Sequence, residues 1–152
     1  MSSSIPEALD WLVGQIRDAV GPGVAVTDGW PAVRSDDLVA IGVTPEGDDA
    51  ELTGSYEELR GGAQYEAVEV PSIIIARRAG TDAAKEARDA AFGLFDQIND
   101  LIAADRRLGD AVRPGLPARV VRWSVSQTSD VRQAGEGRVC EIRWVLGWTH
   151  RS

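Results

Sequence analysis

Two alternating runs near the C-terminal end constrain this chain more than any other feature. The first is ARVVRWSVSQT at residues 118–128, and the second is RVCEIRWVLGWT at 138–149. In the first, Val121, Trp123 and Val125 alternate with Arg122, Ser124 and Ser126. In the second, Cys140, Ile142, Trp144, Leu146 and Trp148 share one face, and Glu141 and Arg143 the other. Successive side chains of a strand point to opposite faces, so period-two patterning predicts two half-buried strands. The polar, glycine-bearing SDVRQAGEG between them suits a hairpin connection longer than a tight turn. Trp123, Trp144 and Trp148 supply aromatic cross-strand neighbours, a stabilising pair type. The plain reading is a core hairpin.

The rest of the chain must cover that hairpin, and 152 residues form one domain, 1–152, of a size that buries a real core. Ser3 or Ser4 can cap a first helix, with Pro6 in its first turn and Glu7 at its positive end. It runs to Val20 and stops at Gly21-Pro22-Gly23. Leu9, Leu12, Val13, Ile16, Ala19 and Val20 form its apolar stripe. Trp11 points nearly opposite, among Glu7, Gly14 and Asp18. It is either folded onto a neighbouring loop or placed against another subunit, where Trp is enriched.

Short strands are expected at 24–27 and 38–43 (LVAIGV). Residues 44–62 (TPEGDDAELTGSYEELRGG) then form a long acidic connection, with a possible short strand at 51–56. Residues 64–77 begin with alternation and end in Ile73-Ile74-Ile75, which suits a central strand covered on both faces. Pro71 within it predicts a bulge or an edge segment. Thr81 caps a second helix running to Arg107, with Gly109 at its end. Its stripe is Ala84, Ala87, Ala91, Leu94, Phe95, Ile98, Leu101 and Ile102. Phe92 lies off that stripe, as a flank of the core or a partner contact. Residues 113–117 (RPGLP) form a stiff connector. The expected fold is α+β: a single mostly antiparallel sheet packed against two helices.

Composition narrows the function. The formal charge is −8 and the pI about 4.6, which argues against a protein that grips nucleic-acid phosphates. An acidic wall would still let DNA slide past. The single Cys140, on an apolar face, fits a reducing compartment. No run is long enough for a membrane helix, and the N-terminus MSSSIPEALD does not read as a signal peptide.

No catalytic constellation is visible. The one histidine, His150, lies near the chain end, where a solvated side chain is expected, and ten positions from Cys140. Phosphate-cradling glycine motifs are absent from the sequence. Asp36-Asp37 and the Asp48, Asp49, Glu51 cluster lack calcium-loop spacing and read as solvated carboxylates. No enzyme, cofactor or metal is expected.

Several stretches carry a resemblance. DGWP follows the first short strand, and LVAIGV leads into the acidic loop. Then come YEELRGGAQYEAVEVPSIIIARRAGTDAAKEARDAAFGLFDQINDLIAADRRLG and RWSVSQTSDVRQAGEGRVCEIRWVLGW. Over residues 24–149 this order resembles the tail terminator (tail completion) proteins of long-tailed bacteriophages, particularly those of actinobacteria. The tryptophan load and Pro71 depart from the pattern.

The resemblance implies a structural virion protein that forms a ring, usually a hexamer. The ring caps the tail tube, ends tail polymerisation and meets the head–tail connector or head-closure protein. DNA passes through it without specific binding. It sits at the tail–neck junction of the virion and is assembled in the host cytoplasm. A closed ring needs two different patches per subunit. Trp11 and Phe92 are candidates, together with Asp48, Asp49, Glu51, Tyr56, Glu57 and Glu58 of the acidic loop. The competing readings are another neck component, a monomeric ligand-binding module or an enzyme.

Overall fold

The computed structural model describes residues 3–31, 35–43, 53–58, 64–112, 116–130 and 137–151. Its elements are α1 (Ile5–Val20), β1 (Ala25–Asp28), β2 (Asp37–Ile41), β3 (Thr53–Glu58), β4 (Gln64–Arg78), α2 (Ala83–Ala104), β5 (Arg119–Ser129) and β6 (Arg138–His150). The strands form one mixed sheet in the order β1-β2-β4-β6-β5, with β3 also on β4. Among the described residues only the β1–β2 pairing is parallel. The α+β class, with one mostly antiparallel sheet and two helices, is as expected.

β4 is the spine. It pairs with β6 from Glu66–His150 to Arg78–Arg138. On its other side two strands stand end to end: β3 against residues 64–69 and β2 against residues 72–76. Pro71 falls in the gap between them. Its carbonyl accepts from the Gly42 and Val43 amides, and the pairing with β6 runs through Pro71–Val145 without a break. Of the two expectations, the bulge is absent and Pro71 stands at a local edge, between the ends of β2 and β3. Proline lacks an N–H only where neither neighbouring strand asks for one.

Alternation along β4 feeds two cores. Val68, Val70, Ile74 and Ala76 face the helices, packing with Leu12, Ile16, Phe95, Ile98, Ile142 and Trp144. Ile73 and Ile75 belong to a second cluster with Leu38, Ala40, Val43 and Val139. The Ile73-Ile74-Ile75 run is thus buried on both faces, as a central strand requires.

Both helix ends are set by neighbours more than by their own caps. Ser4 occupies the cap position of α1 without making a side-chain cap bond. Its amide and hydroxyl both donate to Glu66 Oε1, at 3.0 and 2.6 Å, and the hydroxyl accepts from Trp148 Nε1 at 2.8 Å. Glu66 is 2% exposed. Burial pushes its carboxyl up, but the Ser4 bonds, a Ser3 bond and the nearby His150 together hold it below the usual carboxylate range. A carboxylate at the positive end of α1 also complements the helix dipole. His150, expected as a solvated tail residue, is half-buried opposite Glu66.

α2 starts after Asp82, one residue past the expected Thr81 cap, and ends at Ala104, capped by Asp105, instead of at Arg107. The Asp105 carboxylate accepts from the Arg107 and Gly109 amides. Leu108, Gly109 and Asp110 then follow with φ of 49°, 65° and 74°. Leu108 is fully buried and anchors this left-handed turn. Trp11 lies on Gly109 so closely that a Cβ there would overlap Cδ1 and Nε1 of the indole.

Gly109→Ala should therefore cost about 2–4 kcal/mol, combining overpacking with left-handed backbone strain. Chemical denaturation would show this, and Trp11→Ala in the same chain should recover part of the loss. Because the folded-state pKa of Glu66 is lowered, its stabilisation is present above the ordinary carboxylate pKa and is lost as pH falls through the folded value. Acid titrations of stability should thus be steeper below about pH 4.5 in the parent than in Glu66→Gln.

Candidate interaction surface

β5 is an outer strand of the sheet, bonded to β6 on one side. The sequence pattern predicts it half-buried, yet all but one of its residues are exposed. Its partner β6 carries the burial instead, with Trp144 1% and Trp148 4% exposed. Trp123, Val125 and Val121 remain 53%, 44% and 38% exposed. The hairpin is closed by the Asp130 amide donating to the Gly137 carbonyl at 3.0 Å.

A register shift between Val120 and Arg122 re-aims the strand. Val120 pairs with Leu146 and Trp123 with Trp144, so both stand on the helix side. Val121 is the extra residue, and it lies against Gly147 on the other side. The expected single face of Val121, Trp123 and Val125 is thus split by a β-bulge, which inserts one residue and reverses the alternation.

Trp123 is exposed but not loose. Its ring meets Phe92 edge-on, with centroids 5.9 Å apart at 87°, and Phe95 at 5.6 Å. Gln127 donates to the Ala84 carbonyl at 2.8 Å, a second tie from β5 to α2. Phe92 therefore flanks the core and supports Trp123. Trp11, of its two readings, is the ring folded onto a neighbouring loop, at Gly109. Both side chains are half-buried against the main core. Their off-stripe positions are explained by packing within the chain, which weakens their case as subunit patches.

On the face away from the helices, Arg122 forms a two-bonded ion pair with Glu69 at 3.2 and 3.0 Å, spanning β6. The Arg122 guanidinium holds the Glu69 carboxyl below its usual range, against a small opposing effect of burial. Beside it, Arg143 lies 3.7 Å from Glu141. A shallow groove of about 330 Å³ runs here, lined by Pro71, Arg122, Ser124, Arg143 and Val145 among others.

The acidic candidates separate. Tyr56, Glu57 and Glu58 lie on β3, opposite Glu66, Tyr65 and Gln64 of β4. The expected strand at 51–56 is thus shifted by two residues. Asp48, Asp49 and Glu51 lie outside the described residues. Asp37 is held by Arg78 through two bonds at 2.6 and 2.9 Å. Among the described residues no group of three or more His, Cys, Asp or Glu side chains could hold a metal ion. Cys140 and His150 stand on one strand about 33 Å apart at the usual rise, too far for a relay. Cys140 is fully buried, and burial pushes its thiol pKa up, which makes it inert. Among the described residues no helix is long and apolar enough to cross a membrane.

Sequence reasoning missed the exposure of β5, because an edge strand and a covered strand share the same alternation. The bulge at Val121 carries no residue signal either, since glycine is absent from it. No family model matches the chain, and no curated protein matches it significantly.

Trp123→Ser should cost only about 1 kcal/mol, the worth of its ring contacts, because half of its surface stays in water. Phe95→Ala, in the core, should cost about 3–5 kcal/mol. A smaller gap between the two in chemical denaturation would contradict this placement.

Proposed function

We propose that this chain is a structural virion subunit of the tail-terminator type. Copies of it form a ring that caps the tail tube, ends tail polymerisation and joins the tail to the connector or head-closure protein. The observation that carries the reading is the order of sequence blocks described above. GTDAAKEARDAAFGLFDQINDLIAADRRLG corresponds to α2 with its left-handed terminal turn, and RWSVSQ with RVCEIRWVLGW corresponds to β5 and β6.

Physical features support it. A subunit that works by touching copies of itself needs contact surface in place of a reactive pocket. β5 offers an eleven-residue sheet edge with exposed aromatic and aliphatic side chains. Such an edge is a ready template for another chain. The charge of −8 suits a ring through which DNA slides without adhering. The site would be the tail–neck junction of a virion.

The test is mass measurement of the purified protein, alone and with isolated tail tubes, combined with electron microscopy of tube ends. A closed ring on one end of each tube, with tube growth arrested, is expected. A monomer that leaves tube growth unaffected would reject the reading. Binding to the head connector without binding to tubes would assign it to another neck position.

A further inference from the structure

Among the described residues the sheet has a second outer strand, β3, which matches β5 and pairs with β4 and with no other strand. Across the lower half of the sheet the order is β3-β4-β6-β5, and every neighbouring pair is antiparallel. The two outer strands therefore run in opposite directions. Copies repeated head to tail would meet as antiparallel β5 and β3, with helix faces kept on one side.

Charge favours this pairing over two copies of β5. β5 (RVVRWSVSQTS) carries two arginines and no acid. β3 (TGSYEE) carries two glutamates and no base. A β5–β5 seam would oppose like charges within a chain that is otherwise acidic.

The hydrogen-bonding directions decide which residues of the two edges can pair. The Asp130 amide donates to β6, so even-numbered residues of β5 turn their amides inward and Trp123, Val125 and Gln127 turn theirs outward. On β4, the Arg77 amide donates to Asp36 on the β2 side, and the Pro71 carbonyl accepts there. Odd-numbered positions of β4 thus bond β2 and β3. Their register partners Thr53, Ser55 and Glu57 are satisfied, which leaves Gly54, Tyr56 and Glu58 directed outward. Tyr56 is opposite Glu66 and Trp123 opposite Trp144, both helix-side positions.

We infer that β5 of one copy adds to β3 of the next, with Trp123 opposite Tyr56 and Arg122 opposite Glu57. This rests on the ring reading above and deepens it. In that register the outward amides of Trp123 and Tyr56 face each other, and Arg122, bonded to Glu69 of its own chain, falls at the position opposite residue 57 of the neighbouring strand. Ser124 and Ser55 become a non-hydrogen-bonded pair, the close type suited to a disulfide. The contact is heterologous, the type from which a ring is built when the rotation between copies closes.

Ser55→Cys/Ser124→Cys, oxidised at high protein concentration, tests the seam. The native thiol Cys140 is buried and should stay silent. A ladder of covalent oligomers on a non-reducing gel is expected. Mixing the two single variants should give covalent dimers and nothing larger. Arg122→Glu should raise the assembly midpoint roughly tenfold or more, and Glu57→Arg in the same chain should restore it. Covalent dimers from Ser124→Cys alone would overturn the inference in favour of a two-fold β5–β5 contact. Rings seen by light scattering without Ser55–Ser124 cross-links would overturn the seam and leave the ring reading standing. A chain monomeric both alone and on tail tubes, with no cross-link, would remove both.

Discussion

The β4–β6 ladder is the constraint on which the rest of this molecule depends. β4 runs from Gln64 to Arg78 and is hydrogen-bonded along its length to β6. On its far side it receives β2 and β3 in succession. Helix docking follows from its alternation, because Val68, Val70, Ile74 and Ala76, with the buried Ser72 among them, lie on the face that packs against α2. The entry of the chain is tied to the same strand, where Glu66 holds Ser4 and Ser4 in turn holds Trp148. A buried carboxylate accepting bonds from an amide and a hydroxyl is costly to leave half-satisfied. That network therefore fixes where α1 starts as firmly as any apolar contact does.

Where the sequence was legible, one strong periodicity met one clear environment. The stripe of α1 and the isoleucine run of β4 announce their buried faces without ambiguity. The two C-terminal strands were placed within a residue at each end. The burial of β6 follows its pattern and that of β5 does not, because alternation reports which side chains share a face and is silent on whether another strand or helix covers it. Trp123 illustrates the difference: its alternation matches that of Trp144, yet it stands at the sheet margin with half its surface in water. Pro71 shows the converse. A proline in a central strand argues for an interruption. Here the gap between β2 and β3 removes the demand for its N–H. The polar carboxylate Glu66 looked like one more member of an acidic, alternating segment, and only tertiary structure brings Ser4 to it across sixty-two positions.

The candidate contact residues divide along the same line. Trp11 and Phe92 were singled out because an aromatic on a polar helix arc needs an explanation, and intramolecular neighbours supply one: Gly109 for the first, Trp123 for the second. With both rings half-buried inside the subunit, the larger exposed side chains lie at the sheet margin. There β5 is long, uncharged beyond Arg122, and opposite in direction and charge to β3. Natural sheets usually blunt such margins with short strands, charges or bulges. β5 has its bulge and its arginines at one end, and the stretch from Trp123 to Ser129 is left without a charge. An unprotected margin of this kind is a liability in a solitary protein and an asset in a subunit.

The most direct test of this account is amide hydrogen exchange along β5, followed from dilute protein to the assembled state. In dilute protein the Ser124 and Ser126 amides, bonded to β6, should be protected, while those of Trp123, Val125 and Gln127 exchange freely. On assembly the Trp123 and Val125 amides, opposite Tyr56 and Gly54 of the neighbouring β3, should become protected together. These two amides already protected at high dilution, or still unprotected in a fully assembled particle, would contradict the claim that this margin exists to receive a neighbouring copy.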